Sequence, residues 1–353
     1  MRDTNNPLKA MIKQRFLFFV EVILVFIGIF LFSLIPRLLL PTFLDTSSFF
    51  YGPLYFLLRA IAIILAIPLF LLVTNFVIES QKREIIIQED TNPSKEQLKL
   101  YKITRKNFKY QLLYGILFLF LLFIPLDFLI YFLIPEMIDY SVNALTSNPI
   151  NAYLNYIDYS SFLISVIIIQ ICVSIYEETL TRGFITKRGN DYIFKVSAVI
   201  TSSFYFGLGH FAYFFDPISI NYPFWFPFIW FLQTFIVGII LSLFVLRKKW
   251  LFPVIFAHAL NNIISAHTLW NYPNDFISIA LYLYFPLLII SLLLGVWQFR
   301  RIKDAISIGL KDLRSYFSTK TVENKSKGAI VLRILIDLMI GILIFGLAIF
   351  IAI

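Results

Sequence analysis

The sequence predicts an all-α protein that crosses a membrane about nine times. Hydrophobic residues make up 59% of its 353 residues and charged residues only 14%, with a mean hydropathy of +0.82. Soluble domains average about 45–50% apolar and about 25% charged residues. Apolar runs close to the length of a membrane-crossing helix recur along the whole sequence. The short alternating segments of a transmembrane β-barrel do not occur in it.

Each predicted span is an apolar run bounded by polar or proline-rich residues. In chain order the runs are about 16–40, 52–78, 110–134, 160–185, 194–214, 224–246, 251–269, 276–299 and 328–353. Two intervening polar segments predict helices on the membrane surface: 79–109, where Ser94 is a candidate N-cap, and 300–327, where basic and apolar residues alternate. Residues 187–191 are predicted to be a short connection, and 135–159 and 216–223 to be loops.

The basic residues predict the orientation. Of the 30 Lys and Arg residues, all but Arg37, Arg59 and Arg182 lie in the N-terminal tail or follow the second, fourth, sixth or eighth span. Since basic loops stay in the cytoplasm, we predict a cytoplasmic N-terminus and a multi-pass protein of the cell membrane. A composition rich in Ile, Phe, Lys and Asn favours a bacterial cytoplasmic membrane. The net charge of +9 then reflects topology and attraction to anionic membrane lipids, and no nucleic-acid partner is expected.

Two acids and an arginine interrupt the fourth span. Each charged group costs about 2.5–3.5 kcal/mol at membrane depth, so partners or a function are expected. Glu178 and Arg182 are four residues apart, share a helix face and predict an ion pair. Glu177 lies about 100° around the helix from Glu178. It is therefore the acid that remains for chemistry.

The other strongly polar groups at comparable depth are predicted to be His210 in span five and His258 with Asn262 in span seven. Phe206 and His210 are four residues apart, as are His258 and Asn262, so each pair projects from one side of its helix. Convergence on Glu177 would support hydrolysis in two ways. The carboxylate can deprotonate a water while the imidazoles and the amide stabilise the oxyanion. Alternatively, Glu177, His210 and His258 can hold Zn²⁺ and leave a position open for water.

Structural roles would account for each of these residues taken alone. Intramembrane histidines and Asn262 can serve as hydrogen-bonding residues between helices, and Glu178 with Arg182 as an ion pair. The same groups can also relay protons in a coupled transporter, or belong to a non-catalytic immunity or scaffold protein. No internal repeat of the kind found in many transporters is evident. His267, about half a turn around the helix from His258, and Cys172, within an apolar run, are assigned to packing.

Three motifs in this order resemble those of the CAAX-protease and bacteriocin-processing (CPBP, or Abi) family of intramembrane proteases. They are Glu177-Glu178-x-x-x-Arg182, Phe206-x-x-x-His210 and His258-x-x-x-Asn262.

The resemblance implies an all-helical fold with a cavity open to the cytoplasm, and an endopeptidase whose substrate is a membrane-associated protein or peptide. It implies Glu177 as the water-activating base, and His210, His258 and Asn262 as oxyanion or metal ligands. Glu178, Arg182 and Phe206 would support them, and zinc stays undecided. The likeness covers 160–269, the motif-bearing catalytic core of a membrane domain 1–299. The remainder, 300–353, is a basic amphipathic segment and a final helix beyond the eight-helix core of the family.

Overall fold

The computed structural model describes residues 7–83, 92–146, 153–156, 158–214, 222–272, 276–318 and 326–352. Within these ranges the chain is helical and contains no β-strand, which confirms the all-α prediction. The α-helices are α1 Pro7–Phe43, α2 Tyr51–Arg83, α3 Pro93–Lys99, α4 Arg105–Phe118, α5 Ile124–Leu133, α6 Glu136–Thr146, α7 Tyr159–Glu178, α8 Lys187–Tyr192, α9 Lys195–Leu208, α10 Trp225–Lys248, α11 Phe252–Asn271, α12 Phe276–Ile279, α13 Phe285–Trp297, α14 Phe299–Tyr316 and α15 Lys327–Ala352.

Seven helical stretches among the described residues are long and apolar enough to cross a membrane. They correspond to predicted spans one to four, six, eight and nine. Span five is the short helix α9, continued by a 3₁₀ segment Gly209–Phe214, and span seven is α11, which carries His258, Asn262 and other polar residues. These two helices lie at the predicted places.

Helix α7 occupies the middle of the bundle, with α2 on one side and α11 on the other. Helix α9 packs between α10 and α15, and α15 also packs on α1. The contact between α15 and α9 is close at Gly341, where a Cβ atom would lie only 3.0 Å from the Phe204 ring and 3.2 Å from the Thr201 carbonyl oxygen. The final helix is therefore built into the bundle core.

Ion pairs join the basic ends of several helices, and those made by Arg15 and Arg188 are buried. Arg15 near the start of α1 donates to Asp337 in the first half of α15 at 2.8 Å. Arg188 on α8 donates to Glu21 at 2.6 Å, and Lys195 at the start of α9 pairs with Asp312 on α14 at 2.6 Å. These contacts bring the segments that follow spans four and eight to the same end as the N-terminus. We call this the basic end of the bundle.

Several local predictions were wrong. Residues 187–191, predicted as a connection, form most of the buried helix α8, because Lys187, Arg188 and Asp191 satisfy one another's charges. The N-cap of α3 is Asn92, whose side chain accepts from the Lys95 amide; Ser94 itself is buried. Segment 79–109 is not one surface helix, since α2 extends to Arg83 and the short α3 packs against α2.

The structure also bears on the predicted segments 300–327, 135–159 and 216–223. Helix α14 is helical as predicted and leaves Ile306, Leu313 and Phe317 exposed. The predicted loop 135–159 contains the helix α6. Most of the predicted loop 216–223 lies outside the described residues.

Candidate active site

The first motif lies where α7 passes into a π-helical segment, Thr179–Thr186. Wide π turns inside α-helices are frequent at functional sites. Arg182 donates from Nη1 to Glu178 Oε1 at 3.0 Å, and the Glu178 side chain is completely buried. The same guanidinium nitrogen contacts Thr181 Oγ1 at 2.8 Å. The predicted ion pair is present.

His258 joins this pair from the neighbouring helix α11. Its Nδ1 atom lies 2.8 Å from Glu178 Oε1. Because an ionised carboxylate only accepts hydrogen bonds, Nδ1 carries the proton. In the neutral imidazole the lone pair of Nε2 then faces away from Glu178. It points towards Glu177 Oε2, at 3.7 Å.

Glu177 differs sharply from Glu178 in its surroundings. Its side chain is 27% exposed, whereas that of Glu178 has no exposure. Its Oε1 accepts from the Tyr176 hydroxyl at 3.2 Å, and the residue lines a cavity. The two adjacent acids therefore occupy different environments: one is locked in an ionic pair and the other is accessible.

Phe206 lies between the remaining groups. The Arg182 guanidinium carbon stacks 4.1 Å from the centre of its ring. The two imidazoles contact this ring edge-on, His210 at a centroid distance of 5.9 Å and His258 at 6.2 Å. His210 also packs on Trp230 of α10, at 5.2 Å. The three motifs thus meet around one phenylalanine.

The cavity has a volume of about 500 Å³ and reaches both Glu177 and His210. Helices α1, α2, α7, α9 and α15 form its wall; on α1, α2 and α15 the lining residues include Phe30, Arg37, Tyr55, Arg59, Phe345 and Ala348. These segments of α1 and α15 come from the second half of each helix, and that of α2 from its first third. On these helices the cavity lies in the half of the bundle remote from the basic end, and on the stretch Tyr159–Tyr192 it reaches the middle of the bundle at Glu177. With the predicted orientation this is not the cytoplasmic half that the family resemblance implies.

Asn262 lies one helical turn beyond His258 and has a different partner. Its Nδ2 donates to Gln170 Oε1 of α7 at 3.0 Å, and Gln170 in turn donates to the Tyr153 hydroxyl at 2.8 Å. Asn262 does not line the cavity that holds Glu177. His267, assigned to packing, contacts the Tyr159 hydroxyl at 3.3 Å.

The residues predicted to bind zinc do not form a three-ligand group. In the described part of the chain, no three His, Cys, Asp or Glu side chains are arranged so that they could hold a metal ion. Glu178 already engages Nδ1 of His258. Only Glu177 and His258 face one another closely. We therefore derive no step of the chemistry through a metal.

Two polar residues near this site were missed as candidates. Asp127 on α5 is buried and accepts from Gln233 at 2.8 Å and from Ser265 at 3.0 Å. A lone carboxylate in an apolar run was the signal that could have found it. Arg59 on α2 stacks 4.7 Å above the Tyr176 ring and lines the cavity. The signal in the sequence was that Arg59 is one of the three basic residues outside the basic connections between spans.

Comparison with known proteins bears on the segment that carries these motifs. No curated protein and no solved structure matches this chain. A family model does match, described as type II CAAX prenyl endopeptidase Rce1-like, over residues 159–264. The matched segment runs from the start of α7 to the middle of α11 and contains all three motifs. The resemblance is therefore confirmed: residues 159–264 match the Rce1-like branch of the CAAX-protease family.

Proposed function

We propose that this protein is an intramembrane endopeptidase in which Glu177 activates the water that attacks a peptide bond. The observation that supports the proposal most strongly is the opposition of Glu177 Oε2 and His258 Nε2 at 3.7 Å. With Nδ1 protonated, both facing atoms are hydrogen-bond acceptors, and their separation exceeds a direct hydrogen bond. A water beside the line that joins these two atoms can donate one hydrogen to each of them. Such a water is positioned for deprotonation.

The proton then follows a short route. Glu177 takes a proton from the water while the water oxygen bonds to the scissile carbonyl carbon. The same carboxyl group returns the proton to the amide nitrogen as the carbon–nitrogen bond breaks. His258 keeps the water oriented, and Glu178 fixes the tautomer of His258 through Nδ1. Glu178 is a positioning residue in this scheme.

The tetrahedral intermediate carries an oxyanion that needs a donor. His210 lies in the same cavity as Glu177, so we assign its imidazole N–H to this role. Arg182 and Phe206 hold the two histidine-bearing helices against α7. In this structure the Asn262 amide donates to Gln170. That Asn262 stabilises the oxyanion therefore stays a prediction.

The substrate and setting follow from the same proposal. A protease with its site inside a membrane bundle acts on membrane-associated proteins or peptides, in contact with lipid. We propose the bacterial cytoplasmic membrane as its location. Glu177 and His210 line one cavity, and His258 faces Glu177. This arrangement supports an enzyme more than a proton relay along a transport path.

The test uses the purified full-length protein in neutral-lipid vesicles with a lipidated fluorogenic peptide of CAAX type. Glu177→Gln and His258→Ala are expected to lower kcat by about 10²–10⁴-fold, the usual contribution of general base catalysis. His267→Ala is the matched control, since that histidine contacts Tyr159 outside the cavity. If Glu177→Gln and His258→Ala both cleave at the wild-type rate, the site assignment is wrong.

A second measurement separates the two hydrolytic schemes. We expect the purified enzyme to keep its activity after dialysis against a strong zinc chelator, since Glu177 and His258 need no third ligand to orient a water. Loss of activity on chelation, with recovery on addition of Zn²⁺, would instead establish the zinc-dependent scheme. Metal content determined by mass spectrometry on the same sample provides a readout that is independent of activity.

A further inference from the structure

Arg59 occupies a position that the proposed chemistry does not use. Its guanidinium carbon lies 4.7 Å from the centre of the Tyr176 ring. The hydroxyl of that ring donates to Glu177. Arg59 also lies within electrostatic range of Glu177, Tyr55 and Tyr205. A cation therefore stands in the cavity beside the residue proposed to activate water.

The hydrogen-bonding capacity of this cation is unused. A guanidinium has five N–H donors in a fixed fork. Among the described residues, Arg59 makes no hydrogen bond and no ion pair; its contacts are the Tyr176 ring and the electrostatic attraction of Glu177. Arg59 lies about 12 Å along α2 from the residue that begins the helix, Tyr51. A charge at that depth is expensive and usually serves a ligand or a partner.

The geometry of the fork matches a carboxylate, which it can bind with two parallel hydrogen bonds. Every peptide has one anionic group that is independent of its sequence, namely its C-terminal carboxylate. A cavity of about 500 Å³ is within the range for a small ligand or a short peptide segment. The apolar side chains that line the cavity together with Arg59, among them Phe30 and Ile63, would limit the access of water to such a contact.

We propose that Arg59 binds the C-terminal carboxylate of the peptide being cut and so directs cleavage to a bond a few residues from the chain end. This inference rests on the proposed function, because it places the scissile bond at Glu177. It names a specificity-determining residue on α2, outside the segment matched by the family model. A lipid phosphate is the rival occupant. It is less favoured because Arg59 lines the same cavity as Glu177, the residue proposed to act on the peptide.

The experiment compares two lipidated fluorogenic peptides of the same sequence, one with a free C-terminal carboxylate and one with a C-terminal amide. Both are assayed in phosphatidylcholine vesicles with wild-type protein and with Arg59→Gln and Arg59→Lys. Hydrogen bonds to charged groups predict that wild type prefers the free acid by about 10- to 100-fold in kcat/KM. Arg59→Gln is expected to cleave both peptides at the wild-type rate for the amide. Arg59→Lys should keep part of the preference, since it retains the charge but loses the fork.

The controls make the failures distinguishable. Arg247→Gln removes the same charge from an exposed site at the end of α10 and should keep the full preference for the free acid. Retention of that preference by Arg59→Gln, or equal loss with both peptides, would overturn the proposal without affecting the proposed function. An Arg59 effect that appears only when phosphatidylglycerol is added would assign the site to lipid phosphate and also overturn it. Undiminished cleavage by Glu177→Gln would count against the proposed function itself.

Discussion

At the scale of single residues, the main finding is that the adjacent acids Glu177 and Glu178 have different surroundings and therefore different roles. Glu178 is sealed inside the bundle and accepts from both Arg182 and His258. Glu177, one position earlier, reaches the cavity. The pairing of Glu178 with Arg182 could be predicted because both lie on one helix, four residues apart. Its bond to His258 could not, since that contact depends on how α7 packs on α11.

The first prediction concerns stability at Glu178. Replacing it with Gln leaves Arg182 buried without its counter-charge, and breaking one partner of a buried ion pair costs about 3–5 kcal/mol. We expect Glu178→Gln to lower the thermal unfolding temperature of the purified protein in detergent. Glu177→Gln should leave that temperature nearly unchanged, because its side chain is partly exposed.

The double variant Glu178→Gln/Arg182→Gln is the control for this prediction. It removes both charges together and should be more stable than Glu178→Gln alone. Equal unfolding temperatures for the Glu178→Gln protein and wild type would show that the ion pair does not contribute to stability.

The second prediction separates two roles for Asn262. As a structural contact with Gln170, it contributes about 0.6 kcal/mol or somewhat more, the range measured for hydrogen bonds between membrane helices. Asn262→Leu should then lower stability slightly and leave kcat within a few-fold of wild type. Removal of an oxyanion donor would instead lower kcat by about 10²–10³-fold. Gln170→Leu breaks the same contact from the other helix and also loses the hydrogen bond to Tyr153, so it should lower stability at least as much and likewise leave kcat within a few-fold of wild type if the role is structural.

At the scale of helices, the final helix α15 is part of the cavity wall. Phe345, Ala348 and Ile349 face the cavity, and Asp337 anchors the helix to Arg15 of α1. The apolar run of α15 was evident in the sequence, but its place was not. Hydropathy locates a span along the chain and gives no information on which neighbours it contacts. The same reason explains why α8 was mistaken for a connection, since its charges are neutralised only after folding.

The third prediction tests this wall. Ala348→Phe places a ring in the cavity and should raise KM or abolish cleavage while the protein still folds. Gly346→Phe is the matched control on the same helix, since no atom lies within 4 Å of a Cβ built at that residue. We expect the Gly346 variant to cleave as wild type does. Similar losses in both variants would show that α15 tolerates no added bulk on either side, and that the effect is not specific to the cavity.

At the scale of the whole molecule, the charge asymmetry in the sequence agrees with the way the helices assemble. Contacts such as Arg15 with Asp337 and Lys195 with Asp312 gather the basic segments at one end. The predicted orientation places this end in the cytoplasm. The cavity lies in the opposite half of the bundle. The sequence could predict the first fact from loop charges, but the second depends on which buried side chains fill the space between helices.

The last prediction therefore concerns the orientation of the molecule in the membrane, because it decides from which side a substrate reaches Glu177. Cys172 is the only cysteine and is buried, so a Cys172→Ser protein provides a background for labelling. Ser47 lies in the exposed turn between α1 and α2, at the end remote from the basic residues, and Ser315 is exposed on α14 at the basic end. On intact cells a membrane-impermeant maleimide should label Ser47→Cys, and should label Ser315→Cys only after permeabilisation. The reverse pattern would invert the topology and place the cavity in the cytoplasmic half. With the expected pattern, a substrate reaches the cavity from the outer half of the bilayer, because the lining segments of α1, α2 and α15 lie in that half.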